Sequence, residues 1–276
     1  MIELRKLVMT ATILCGVILA GCHNENTEQA LPATGDDTRN EVQKETPISE
    51  ALNKKEQQIW YLVSDDTPGK DSDGTVLVIE DGKVSKYGSL PLSEVIEMSD
   101  KEIIKSATQD RDEQLYTRHI TQALEGAQEN IDHYTETLTL KGFSDEDIAL
   151  MNEQLTEAKA QQDFVKSVDF DKVLSEIEPQ KYRFNLVTDS TGNNTEEQEF
   201  IYQESTITED YSISIDERKL TFEQGGVYAK FQIYDEWFCG LKTDNHSYFV
   251  MCDPEKTGEL SFILDQPGAK GVTVDE

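Results

Sequence analysis

The chain has 276 residues, of which 55 are Asp or Glu and 25 are Lys or Arg, and its formal net charge at pH 7 is −30. Such a charge repels polyanions, which argues against nucleic acid as a partner and against a basic surface for phospholipid headgroups. The same charge keeps an exposed protein solvated, and the length is sufficient for one large hydrophobic core or two small ones.

The N-terminal segment, from Met1 to Cys22, has the pattern of an export signal. Two basic residues precede a mainly apolar stretch, Leu7 to Ala20, which is shorter than the roughly 20 residues that a membrane-spanning helix requires. Residues 19–22 read LAGC and resemble the lipobox of bacterial lipoproteins. The resemblance implies that residues 1–21 are removed by cleavage between Gly21 and Cys22, and that the Cys22 thiol receives a diacylglyceryl group.

A lipid on Cys22 would determine where the protein acts. One acyl chain binds a membrane only weakly, so two chains on one thiol make a lasting anchor. We therefore expect the protein on the outer face of the cell membrane, with the membrane as one partner. The alternative is cleavage after Ala20 or Gly21 without lipid, which would give a secreted protein.

Residues 22–57 are expected to be the lipidated cysteine and a polar tether. This stretch consists mainly of Asn, Glu, Gln, Asp, Thr and Lys, with few large apolar residues. That is the composition of a solvated linker. Its role would be to hold the folded part away from the membrane.

Residues 58–90 are predicted to form a β-hairpin unit. Three runs rich in β-branched and aromatic residues follow one another, and Asp81 with Gly82 separates the last two. An Asp-Gly pair between two such runs is the strongest short-range signal for a hairpin. Three short strands are therefore expected.

Residues 91–179 are predicted to be a helical hairpin region. Ser99 followed by Glu102 is a capping box, and apolar residues then recur at helical spacing in two long stretches. Gly142 and Ser144, between the stretches, are typical of a helix end and a new helix start. The pattern indicates an αα-hairpin with helices of roughly 30 and 20 residues, the first about 45 Å long.

Residues 180–276 are predicted to be an antiparallel β region that packs with residues 58–90. The apolar pattern changes to period two, and Gly, Asn and Asp turns separate closely spaced strands, which indicates an antiparallel sheet or a partial barrel. The fold class is therefore α+β, with the αα-hairpin inserted between two β regions. The strands after residue 205 are expected at residues 206–215, 219–222, 227–237, 238–243, 247–252 and 260–264.

Three short stretches resemble uncharacterised surface lipoproteins of Gram-positive bacteria. They read IEDGKVSKYGSL at residues 79–90, SDKEII at residues 99–104 and VTDSTGNN at residues 187–194. None of the three is a catalytic motif. The resemblance therefore implies a location and no activity.

The acidic loop between the first two predicted strands raises the question of calcium. With Gly74 at the sixth position of an EF-hand loop, Asp71, Asp73 and Glu80 fall at positions three, five and twelve. The first position is then Gly69, which has no side-chain oxygen, and the flanks are predicted strands instead of helices. These three residues are calcium candidates only through some other geometry, and a solvated loop is the favoured interpretation.

Cys239 and Cys252 are the pair that is left once Cys22 carries lipid, and in an exported chain such a pair suggests a disulfide. A two-residue turn at Asn245 and His246 would place the two cysteines directly opposite each other on neighbouring strands, where closing the bridge requires some local strain. The same cysteines with His246 could also bind zinc, but a fourth ligand is missing. We therefore expect the disulfide.

No motif identifies a reaction. The sequence has no P-loop, no dinucleotide fingerprint and no G-x-S-x-G elbow, and no cofactor is expected. The aromatic residues between 228 and 249 are expected to be mainly core. The favoured function is non-catalytic binding of a surface protein, peptide or wall component, through the sheet face or the helical hairpin. A substrate-binding lipoprotein of an importer is one alternative, and a hydrolase that acts on the cell wall is another.

Overall fold

Apart from one short helix near the start, strands and helices follow one another in three blocks: strands, then helices, then strands. The computed structural model describes residues 45–224 and 228–275. The strands are β1 (Glu45–Pro47), β2 (Gln58–Val63), β3 (Asp73–Glu80), β4 (Lys83–Pro91), β5 (Gln180–Thr188), β6 (Thr195–Ile207), β7 (Ile213–Glu223), β8 (Tyr228–Ile233), β9 (Glu236–Lys242), β10 (Tyr248–Cys252), β11 (Ser261–Ile263) and β12 (Val272–Val274). The helices are α1 (Ile48–Leu52), α2 (Leu92–Val95), α3 (Asp100–Tyr116), α4 (Gln122–Thr137), α5 (Asp145–Ser167) and α6 (Phe170–Ser175), with a π-helical turn, Thr117–Thr121, between α3 and α4. The predicted α+β class is confirmed.

The first and last strand blocks form one sheet. Nine of its strands lie in the order β7-β6-β5-β4-β3-β2-β10-β9-β8, with every neighbouring pair antiparallel, and β12 pairs with β5 in parallel. The early strand β2 therefore lies between β3 and the late strand β10. β1 and β11 form a separate parallel pair. The sheet is not closed into a barrel, because the order ends at β7 and at β8.

The turn between β3 and β4 has the conformation that its residues predict. Asp81 and Gly82 both have positive φ angles, 46° and 74°. A two-residue type I′ turn requires this combination. The Asp81–Gly82 pair therefore predicts the turn of this hairpin without information from the rest of the chain.

One face of the sheet encloses an aromatic core. Trp60 of β2 stacks on Phe249 of β10 with ring centroids 4.5 Å apart, and Phe249 is 5.6 Å from Phe200 of β6. Because four strands separate β6 from β10 in the sheet order, the sheet must curl until these two strands face each other. The Asp244 amide donates to the Thr221 carbonyl at 2.9 Å, which links the β9–β10 turn to β7, the neighbour of β6.

Residues 45–57 belong to the folded part, so the predicted tether of residues 22–57 is wrong for this stretch. β1 pairs with β11, and Ile48 and Leu52 of α1 are fully buried in the aromatic core. A helix as short as α1 has too few residues for its apolar spacing to stand out in a polar stretch. The predicted signal peptide, the lipidation site and the rest of the tether fall in residues 1–44, outside the described part of the chain.

Helices cover the other face of the middle strands. Leu92 and Val95 of α2 are buried in a second apolar cluster with Ile103 and Ala107 of α3 and with sheet residues such as Phe238. The middle of the sheet is therefore covered on both faces. This leaves the helical hairpin as the more accessible of the two binding surfaces that the sequence predicted.

Two predicted strands contain a turn. The predicted strand 206–215 is broken near Tyr211, which has a φ of 62°, and the predicted strand 227–237 is broken at Tyr234, which has a φ of 51°. Tyrosine is not among the residue types that indicate a turn, and it rarely adopts the left-handed conformation. The sequence pattern therefore reveals neither break.

Candidate functional site at the tip of the helical hairpin

A long helix carries the candidate site at its end. It begins after Ser99, whose amide and hydroxyl both donate to the Glu102 carboxylate, at 2.9 and 2.7 Å. These hydrogen bonds lower the pKa of Glu102 and form the predicted capping box. α3, the π-helical turn and α4 then continue without a break from Asp100 to Thr137. At about 1.5 Å of rise per residue this helix is about 57 Å long, longer than predicted.

The chain reverses at a second capping box. The Ser144 amide donates to the Asp147 carboxylate at 3.1 Å, and the Asp147 amide donates to the Ser144 hydroxyl oxygen at 3.2 Å. Hydrogen bonds from Ser144 lower the pKa of Asp147. Gly142 has a φ of 109°. Glycine adopts such positive φ angles readily and is common at this position just after a helix end. The predicted αα-hairpin is confirmed.

The two long helices pack closely because small residues lie between them. Ala127 of α4 and Ala158 of α5 are buried along the seam. Gln162 of α5 donates to the side-chain oxygen of Gln128 of α4 at 2.8 Å. The seam holds α4 and α5 together as one element.

The base of the hairpin is fixed to the end of the β6–β7 arm. Ile120 of the π-helical turn and Phe170 of α6 form a buried cluster with Ile207 of β6. The Tyr211 hydroxyl, in the β6–β7 turn, donates to the His119 carbonyl at 2.9 Å. The sheet therefore determines where the hairpin begins.

The hairpin tip, which we define as residues 139–150, is exposed at every position. It nevertheless carries Leu140 at 60% exposure and Leu150 at 57%, with Phe143 and Ile148 at 40% and 39%. Phe143 and Ile148 occupy the N′ and N4 positions around the α5 cap, where two apolar residues form a hydrophobic staple, so a local structural role accounts for them. Leu140 and Leu150 have no such role.

The tip carries several exposed large apolar side chains close together in the sequence, whereas exposed leucines on protein surfaces are usually single. Single exposed leucines are common on protein surfaces. Four large apolar side chains lie exposed between Leu140 and Leu150, at the end of a long hairpin, and exposed apolar surface of this kind is typical of interaction sites. These side chains have the chemistry of a surface that binds.

The surface around the tip is strongly acidic. The stretch 122–160 contains nine acidic and two basic side chains. Such a surface is repelled by anionic membranes and is complementary to a basic partner. An apolar centre with a charged surround also matches the anatomy of protein interfaces.

The calcium candidates are not brought together. Asp73 begins β3 and Glu80 ends it, so seven steps of strand place them roughly 23 Å apart. Asp71 is exposed on the preceding loop. Within residues 45–224 and 228–275, no group of three or more His, Cys, Asp or Glu could hold a metal ion. Asp71, Asp73 and Glu80 therefore do not share one site.

Cys239 and Cys252 are free thiols that pack into the clusters on opposite faces of the sheet, so the predicted disulfide is wrong. Cys252 pairs with Phe238 instead of with Cys239, a shift of one residue from the predicted register. The shift arises because the turn has three residues, Asp244 to His246, with His246 in the left-handed conformation at a φ of 65°. A shift of one residue moves a side chain to the other face of a sheet.

The aromatic residues between 228 and 249 are mainly core, as predicted. Phe238 and Phe249 are fully buried, whereas Tyr228 is 45% exposed and Tyr234 is 64% exposed. Tyr228 is the first residue of β8 and Tyr234 follows its last, so the two lie roughly 20 Å apart. They do not form one binding platform.

Comparison with known proteins identifies no relative: no protein-family model, no curated protein and no solved structure matches the chain. No helix in the described ranges is long and apolar enough to cross a membrane. The interpretation of the tip therefore depends on the chemistry of this chain alone.

The apolar tip is the part of the candidate site that the sequence pattern did not predict. Leu140 and Phe143 lie in the connection between two predicted helices, where polar residues are usual. Leu150 lies next to Met151 and off the apolar stripe of α5, so it faces away from the seam. Two sequence signals of this site were available: apolar residues in the connection between the helices, and an apolar residue outside the apolar stripe of α5.

Proposed function

We propose that this chain is a lipid-anchored extracytoplasmic surface protein that binds another protein, without catalysis, through the hairpin tip. The single observation that carries the proposal is the exposure of Leu140 and Leu150 at the end of the helical hairpin. The acidic residues around these leucines favour a partner with an apolar pocket and basic residues around it.

Two leucines supply part of the free energy of binding. Full burial of one leucine side chain contributes roughly 1.5–3 kcal/mol, so the two contribute about 3–6 kcal/mol before the costs of association. A micromolar complex requires about 8 kcal/mol. We therefore expect a weak contact at the tip, which confinement of both proteins near one membrane would favour by raising their effective concentration.

The location is proposed from the N-terminal sequence. Residues 19–22 resemble a lipobox, and the stretch 23–44 separates Cys22 from the first described strand. A chain of this length reaches at most about 80 Å. The partner of an anchored protein would therefore lie no farther from the membrane than the reach of this stretch and the length of the hairpin combined.

The proposal is tested by binding to cells. The chain from residue 23 onward is labelled with a fluorophore and added to cells of the source organism from which its gene has been deleted. The double variant Leu140→Glu/Leu150→Glu should lose most of the cell-associated signal, because it adds charge to the apolar centre. Tyr234→Glu is the matched control, since Tyr234 is equally exposed but lies on the sheet, in the β8–β9 turn.

Equal binding by the parent and the double variant would refute a role for the tip. Loss of binding in the Tyr234→Glu control as well would indicate a general charge effect. The far-ultraviolet circular dichroism of all three proteins should be identical, because every substituted side chain is exposed.

The other predicted functions receive no specific support. An importer's binding protein usually has two α/β lobes, whereas the described residues form one large sheet, one small parallel pair and one helical hairpin. A hydrolase acting on the cell wall would require a catalytic constellation, and the hairpin tip carries none.

A further inference from the structure

A second irregular region lies on the other side of the hairpin base, where β4 meets α3. The pairing of β4 with β3 moves from Thr75 opposite Ser89 to Leu77 opposite Lys86, so that Tyr87 and Gly88 together face a single residue of β3. This is a β-bulge, a feature that is over-represented next to functional sites.

Gly88 in the bulge allows α3 to approach β4 closely. A Cβ atom at this position would lie 2.6 Å from the Arg111 amide nitrogen and 2.8 Å from the Ala107 carbonyl oxygen, both in the backbone of α3. Any larger residue would push the helix away. Shortly after Arg111, α3 gives way to the π-helical turn, another irregularity that is frequent at functional sites.

The bulge and the π-helical turn enclose a cavity of about 220 Å³. Its walls are the bulge of β4, the last turns of α3, the connection before β5 and the C-terminal part of β6. The volume is below the range of roughly 300–1,000 Å³ that is typical of sites for drug-sized ligands. It is therefore the size of site that suits a small polar molecule.

The cavity is lined by more positive than negative groups, unlike the chain as a whole. Lys86, Arg111 and Arg118 line it, against Glu178 and Glu204. The whole chain has more than twice as many acidic as basic residues. The local excess of cations in so acidic a protein is a distinctive property of this cavity.

Two of the carboxylates near the cavity, Glu204 and Asp110, are already engaged. Glu204 accepts hydrogen bonds from Lys86 and from Arg218, each at 2.9 Å. Asp110, behind the bulge, accepts from the Ser89 amide at 2.8 Å and from the Gln114 side chain at 2.7 Å. These acids therefore offer little to a cationic ligand.

The cations that line the cavity differ in whether they already form ion pairs. Arg111 is held by Asp112 at 2.7 Å and lies over the Tyr87 ring at 5.4 Å. Arg118, at the start of the π-helical turn, has no ion-pair partner among residues 45–224 and 228–275. A guanidinium group offers paired donors that match the two oxygens of a carboxylate or phosphate group.

We propose that this cavity binds a small molecule through an oxyanion group, with Arg118 as the main contact; Lys86 and Arg111, which stay paired with Glu204 and Asp112, complete the lining. The shared chemistry is that of carboxylate and phosphate groups. The proposal does not depend on a protein partner at the hairpin tip, because the cavity lies beside the middle of the long helix, at residues 111–118, and the tip lies beyond its C-terminal end.

The test is a titration of the ¹⁵N-labelled chain from residue 23 onward with inorganic phosphate and, separately, with acetate, at low ionic strength. The amide signals of Tyr87 and Gly88 should shift and saturate, with an affinity in the millimolar range. Arg118→Gln should weaken binding at least tenfold. The control Arg183→Gln, which removes an exposed arginine paired with Glu217 on β7, should leave binding unchanged.

Three outcomes separate the possibilities. Saturable binding of phosphate alone, or of acetate alone, supports the site and identifies which oxyanion it takes. Shifts that do not saturate at tens of millimolar of either anion overturn the proposal. Equal affinities in the parent and in Arg118→Gln also overturn it, and the thermal midpoint of that variant should be unchanged because Arg118 is exposed and makes no ion pair among the described residues.

Discussion

Removing the carboxylate of Asp265 should destabilise the whole fold, because this buried side chain joins the first helix to the sheet. Its Oδ2 accepts from the Ser49 amide at 3.0 Å and from the Gln198 side chain at 2.6 Å, and its Oδ1 accepts from the Ser49 hydroxyl at 2.5 Å. Asp265, Ser49 and Gln198 are all buried. The substitution Asp265→Ala therefore leaves at least two buried donors without an acceptor.

The size of the effect follows from those donors. An unsatisfied buried donor costs about 1–3 kcal/mol, so two cost about 2–6 kcal/mol, reduced somewhat because a buried charge is also removed. We expect Asp265→Ala to lose about 3–5 kcal/mol, a large share of the roughly 5–15 kcal/mol that stabilise a typical protein. For a domain of this size the thermal midpoint should fall by roughly 6–20 °C.

The measurement is urea-induced unfolding followed by tryptophan fluorescence, since Trp60 is fully buried in the aromatic core. Asp216→Ala is the control, because Asp216 is an acid on β7 whose side chain is 47% exposed, and it should change stability by less than about 0.5 kcal/mol. A loss below about 1 kcal/mol for Asp265→Ala, with an unchanged slope, would refute the structural role that we assign to α1.

Three further outcomes are expected. Burial raises the pKa of both Cys239 and Cys252 to about 11, so alkylation of the native protein at pH 8 should be slow. Because both thiols are free, dithiothreitol should not shift the unfolding midpoint, and a shift would indicate a disulfide. Burial, and secondarily the charge of Arg118, lowers the pKa of His119 below its usual 6.5, so the unfolded chain binds this proton more strongly and the stabilising effect of the neutral ring is lost as the pH falls from 7 through 6.5. His119→Gln should flatten that part of the stability profile, and identical profiles would contradict the assignment. Cys22→Ala should release the protein into the medium and abolish lipid labelling, and unchanged membrane retention would exclude the proposed anchor.

Features set by neighbouring residues were predictable from the sequence. The Asp81–Gly82 turn and the capping boxes at Ser99 and Ser144 depend on residues that are one to three positions apart, and all three are present. The alternation of β, α and β blocks follows from apolar spacing in the same way. Local chemistry was therefore sufficient for the class of fold and for the hairpin.

Features set by distant contacts were not predictable. α1 is stabilised by hydrogen bonds between Ser49 and Asp265, which lie far apart in the chain. The separation of Cys239 from Cys252 depends on the conformation of His246, because one extra turn residue changes the register of every pair beyond it. The candidate site became visible only when exposure distinguished Leu140 from the apolar residues of the core.

The hairpin tip is the central element of the proposed function, and crosslinking in living cells tests it most directly. A photoreactive amino acid replaces Leu150 in the full-length chain, and in a parallel strain it replaces Tyr234. We predict that irradiation gives a discrete crosslinked species from position 150 that the additional substitution Leu140→Glu abolishes, and none from position 234. The same species from both positions, or no species from position 150, would contradict a binding role for the tip.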